Sequence, residues 1–172
     1  MKSALVLMLL AVSAFAQDHS PFVPGAACGP RGTTFGVKRD ESQHALAQPE
    51  PGKALVYFVQ DIGELSCLGS CWTTKIGLDG AWVGANERNS YFSVSVEPGE
   101  HHVCANEQSR IARLSRLIAF THFTAEAGKV YYFRTRVIAS TSEELLDMDP
   151  LDSDEARYLI VSYPLSVSHP KP

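Results

Sequence analysis

The chain opens with an unbroken apolar run from Ala4 to Val12, and later settles into short alternating stretches separated by Gly, Pro and Asp. The segment Lys53 to Gln60 is nearly all apolar and rich in β-branched and aromatic residues, the pattern of a strand buried on both faces, so it belongs at the centre of a sheet. Trp72 to Leu78 resumes alternation, with Thr74, Ile76 and Leu78 on one side. Asp79-Gly80 then supplies a two-residue hairpin turn, because both positions tolerate positive φ, and Ala81 to Ala85 returns. Ser90 to Val96 alternates cleanly and predicts Phe92, Val94 and Val96 inward, with Tyr91, Ser93 and Ser95 outward. Pro98-Gly99 turns the chain toward His101 to Asn106.

The stretch 107–116 reads as a loop that could hold a helical turn, and Arg110, Arg113 and Arg116 recur there at a spacing of three. Strands follow at Leu117 to Thr124 and Lys129 to Ile138. In the second, Tyr131, Phe133, Thr135 and Val137 share one face, and Tyr132, Arg134 and Arg136 share a wetter one. A shorter strand is predicted at Glu143 to Asp147. A helix starts at Asp152, with Ala156, Leu159, Ile160 and Tyr163 at helical spacing and Pro164 as its stop. About seven short strands with regular turn signals and one short C-terminal helix predict a mainly β chain, an antiparallel β-sandwich.

Lys2, the apolar run and Ala14-x-Ala16 form the three parts of a secretory signal, with cleavage expected after Ala16. The run is too short for the roughly 20 apolar residues of a membrane span, and no later segment approaches that length. The expected organisation is a signal peptide over 1–16, an extended Pro- and Gly-rich arm over 17–52 with a short strand near Thr34 to Lys38, a β-sandwich domain over 53–164 and a frayed tail over 165–172. The mature chain is one domain's worth, and its expected address is the periplasm or the exterior.

The formal net charge of −4 works by exclusion: an acidic chain with scattered Lys and Arg lacks the basic face that nucleic acid requires. Cys28, Cys67, Cys71 and Cys104 all survive processing, and in an oxidising compartment an even number suggests disulfides. Three pairings are possible. We favour Cys67 with Cys71, across the tight Leu68-Gly69-Ser70 turn, and Cys28 with Cys104, which ties the arm to a strand; the crossed pairings stay open.

The alternative chemistry is a metal-binding or thiol-active protein using Cys67, Cys71, Cys104 and His102, since Cys67-x3-Cys71 and His101-His102-x-Cys104 offer soft ligands and His102 shares the face of Cys104. That spacing is only loosely suited to zinc. No Gly-x-Ser-x-Gly elbow and no Cys-x-x-Cys motif occurs, so neither a hydrolase nor a dithiol oxidoreductase is indicated, and no cofactor is expected. Candidate binding residues are the aromatics Trp72, Trp82 and Tyr91, which could present rings to a glycan or an envelope protein; for the two indoles the favoured reading is that they cap the ends of the core.

Gly52-Lys-Ala-Leu-Val-Tyr-Phe58, Gly77-Leu-Asp-Gly-Ala-Trp-Val-Gly84, Ser90-Tyr-Phe92 with Pro98-Gly-Glu-His101, and Ala127-Gly-Lys-Val-Tyr-Tyr-Phe133 together resemble an uncharacterised bacterial envelope family known only as a domain of unknown function. The resemblance covers roughly Gly52 to Ser162, and the Asp-Gly hairpin followed by Pro-Gly-Glu-His is more distantly similar to surface β modules of the PEGA type. It implies a transthyretin-like or immunoglobulin-like sandwich and an envelope protein without a known reaction, and it carries over no catalytic residue. Many members look like lipoproteins, whereas this chain has no Cys at its cleavage site, and Cys67 and Cys71 stand outside the shared pattern.

Overall fold

Ten strands and one α-helix are present in a computed structural model of the chain, which describes residues 24–42, 46–62, 73–139 and 144–171. In chain order they are β1 (Phe35–Asp40), β2 (Ala54–Gln60), β3 (Thr73–Leu78), β4 (Ala81–Glu87), β5 (Ser90–Val96), β6 (Gly99–Glu107), β7 (Ile118–Ala125), β8 (Val130–Ala139), β9 (Glu144–Pro150), α1 (Ser153–Ser162) and β10 (Leu165–Pro170). They form a six-stranded sheet, β1-β10-β5-β2-β8-β9, and a four-stranded sheet, β4-β3-β6-β7.

The apolar run of β2 is central, as its composition predicts, and all seven of its residues are buried. The cause is cover on both faces. Val56 and Phe58 point to a core between the two sheets, with Phe92, Ile76, Val103 and Phe133. Leu55, Tyr57 and Val59 point the other way, into a second core closed by Leu159 and Ile160 of α1. Complete burial of side chains such as Phe58 or Ile160 is worth about 1.5–3 kcal/mol each.

Turns and caps follow from local chemistry. Asp79 and Gly80 both take positive φ, 50° and 89°, so the predicted hairpin turn is present between β3 and β4. Asp152 caps α1 by accepting hydrogen bonds from the backbone N–H of Asp154 and Glu155, at 2.8 and 3.4 Å. The helix ends where Tyr163 turns extended ahead of Pro164.

Several expectations need correction. The described strands number ten rather than about seven, and the large sheet is mixed: β2 pairs in parallel with β8, and β10 in parallel with β5. Residues 165–170, expected as a frayed tail, form β10; the short strand expected near Thr34 to Lys38 in the arm is present as β1, and it pairs with β10 from Phe35↔Pro170 to Asp40↔Leu165. Pro164 feeds the chain into this slot, its carbonyl accepting from Tyr91 N–H at 3.2 Å, and Ser166 Oγ meets Ser90 Oγ at 2.7 Å inside. Within 107–116 a short 3-10 turn at Leu114–Arg116 buries Leu114. Arg113 there pairs with Glu144 at 3.2 Å.

Candidate functional site

Residues 24–34 cross the outer face of the four-stranded sheet as a strap. A 3-10 turn at Pro24–Ala27 brings Cys28 to Cys104 on β6, and the two form a disulfide with Cα atoms 5.2 Å apart. Gly80 N–H donates to Ala27 O at 3.1 Å. Gly29 passes so close to β4 that a Cβ there would sit 2.3 Å from Trp82 Cδ1. Trp82 Nε1–H donates to Pro30 O at 2.8 Å, and Lys75 Nζ donates to Thr33 O at 2.9 Å. Lys75 also lies over the indole of Trp82, 4.3 Å from the ring centroid, in cation–π geometry.

Strap and sheet enclose a cleft of about 280 Å3. Each strand of the small sheet gives it one floor residue: Trp82 from β4, Lys75 from β3, Asn106 from β6 and Ile118 from β7. The last three stand in one cross-strand row, since Lys75 pairs with Asn106 and Asn106 with Ile118. Strap residues between Gly25 and Gly32, including Arg31, form the rim. Asn106 Nδ2 is held by the carbonyls of Ser115 and Leu117, at 3.2 and 2.9 Å. Lys75 is buried, and its burial lowers the pKa of the ammonium.

Of the sequence candidates, Trp82 is therefore half-buried and grips the strap while its ring lines the cleft. Tyr91 corrects an expectation: it is 2% exposed, under α1 and beside Tyr57, and cannot present its ring to a partner. Alternation placed it outward, but the helix covers that face at this position. Cys28 and Cys104 are paired as favoured; Cys67, Cys71 and Trp72 lie outside the described residues.

The ligand set proposed around Cys104 is also changed, because its sulfur is bonded to Cys28 and fully buried. His102 instead faces His122 across the β6–β7 pair, ring centroids 6.0 Å apart, with Glu100 at 3.5 Å. Among the described residues no group of three or more His, Cys, Asp or Glu could hold a metal ion. His101 braces the hairpin, its Nδ1 at 2.6 Å from Asp79 Oδ2 and its Nε2 at 2.7 Å from Glu97 O. Burial opposes charge on that ring, but the contacts with Glu97 and Asp79 outweigh it and leave the pKa raised.

A second polar feature lies inside the fold. Glu107, 2% exposed at the end of β6, accepts from Thr73 N–H at 3.0 Å and Thr74 Oγ1 at 3.2 Å, and Gln60 Nε2 donates to Thr74 Oγ1. Burial pushes its carboxyl up to about 7, against these hydrogen bonds, which act in the opposite sense. Sequence reasoning missed Lys75, Arg31, Asn106, Ile118 and Glu107. Lys75 on an alternating strand looks solvated until the strap is known to cover it.

The profile of the family described as "Protein of unknown function (DUF2846)" matches residues 50–147, more than half of the chain. No curated protein and no solved structure matches it.

Proposed function

The chain belongs to this family of unknown function, and from that premise we propose that it is an exported, non-catalytic binding module of the bacterial cell envelope, built as a transthyretin-like or immunoglobulin-like sandwich. The supporting observation is the strap: a covalently tied segment laid over the small sheet leaves, beside it, a cleft floored by all four strands. Rigid strands and a disulfide hold such a floor in one shape before a ligand arrives, which reduces the ordering cost of binding. The signal-like start of the chain and the paired sulfurs fit an oxidising address, periplasmic or secreted, where the proposed Cys67–Cys71 bridge would also be stable. No helix among the described residues is long and apolar enough to cross a membrane.

The reading is tested by sedimenting the oxidised mature protein with isolated envelope material. Ile118→Asp puts a charge on a cleft residue that is already 43% exposed, so the fold should survive. Wild type is expected to pellet with the envelope fraction and the variant to stay in the supernatant; equal behaviour of the two would contradict the reading.

A further inference from the structure

The cleft differs in charge from the molecule around it. On a chain of net charge −4, its described lining holds two cations, Lys75 and Arg31, and no carboxylate. Neither cation makes an ion pair among the described residues. Lys75 is 7% exposed, and among the described residues its ammonium has one carbonyl acceptor and one ring face, although it can donate three hydrogen bonds. A buried charge without a counter-ion is costly, and the cost is recovered when an anion enters with good geometry. Beside the cations stand two apolar groups, the indole of Trp82 and the side chain of Ile118, and the amide of Asn106. A bare inorganic anion would leave both apolar groups unused. The volume of about 280 Å3 lies at the lower edge of the roughly 300–1,000 Å3 typical of small-molecule sites, a size for a single ring.

We propose that the cleft binds a carboxylate-bearing sugar, a single uronic acid unit of an acidic glycan, with its carboxylate between Lys75 and Arg31 and its ring against Trp82 and Ile118. This rests on the binding-module reading and adds the ligand class. The strap is then a working part of the site, because it supplies Arg31 and keeps Lys75 out of water through Thr33 O.

The test is calorimetric titration of the oxidised mature protein with methyl glucuronide, methyl glucoside and inorganic phosphate, with the Trp82 indole N–H followed by NMR. The glucuronide is expected to bind and move that resonance, the glucoside not to bind, and phosphate to bind at least tenfold more weakly than the glucuronide. Lys75→Met and Arg31→Gln should each weaken the glucuronide at least tenfold, and 0.5 M salt should weaken it too. Arg31 is exposed, so its variant carries the test if Lys75→Met fails to fold. No glucuronide binding, undiminished binding in Arg31→Gln, or phosphate binding as tight as the glucuronide would each overturn the proposal. If the glucuronide fails while envelope binding still depends on Ile118, only the ligand class falls; loss of both removes the module reading as well.

Discussion

Gly77 on β3 lies under Ala27 of the strap so closely that a Cβ on Gly77 would stand 2.8 Å from the carbonyl oxygen of Ala27 and 3.0 Å from Cys28 Cα. Both atoms are backbone and cannot swing aside. Gly77→Ala should therefore lift the strap or strain the sheet, at the about 1–3 kcal/mol typical of overpacking, seen as a lower urea midpoint with an exposed Trp82 signal. An unchanged midpoint would mean that the strap is not seated on β3.

The Cys28–Cys104 bridge spans a sequence separation of 76, so it constrains a long loop of the unfolded chain. Replacing both cysteines with serine is expected to cost about 2–4 kcal/mol in denaturant unfolding. The same change should weaken the cleft, because the rim it fixes contains Arg31.

Burial decided where reading the sequence succeeded. The run of β2 and the Asp79-Gly80 turn were legible because each is determined by its own residues, and so was the Asp152 cap. Tyr91 departs from its expected exposure because period-2 alternation says which face a residue takes, not whether a helix from far along the chain covers that face. The same applies to β10: Leu165–Pro170 is short, polar and proline-ended, and it is a strand because β1 and β5 offer backbone partners on either side. In the cleft, the tie from Cys28 to Cys104 belongs to the favoured pairing, while the row Lys75, Asn106, Ile118 depends on register across three strands and leaves no local trace.

Glu107 gives a pH signature. Its folded pKa, about 7, lies above the ordinary value of 4.5, so between these limits the folded state binds more protons than the unfolded one. Stability from this group is full below about pH 4.5, falls as pH rises toward 7, and is flat above that. Glu107→Gln keeps an acceptor for Thr73 and removes the charge, so the difference in unfolding free energy between variant and wild type should grow across that window. A difference independent of pH would contradict the burial of an ionisable carboxyl there.

The seating of α1 depends on Asp152 and Arg134. Arg134 reaches Asp149 at 3.1 Å and Glu155 at 2.8 Å, joining β8, β9 and the helix, and Tyr163 O–H donates to Asp61 at 2.7 Å. Asp152→Ala removes the cap and should cost about 0.5–2 kcal/mol. Hydrogen exchange should then quicken first along the helix, and uniform quickening would argue that the helix is not a separable unit.

Export of this chain, with Cys28 and Cys104 joined, is our proposal, and its sharpest test is mass spectrometry of the protein taken from its native host and alkylated without reductant. The expected result is an N-terminus at Gln17 and a cross-linked peptide containing Cys28 and Cys104. An intact Met1 with both sulfurs alkylated would contradict it.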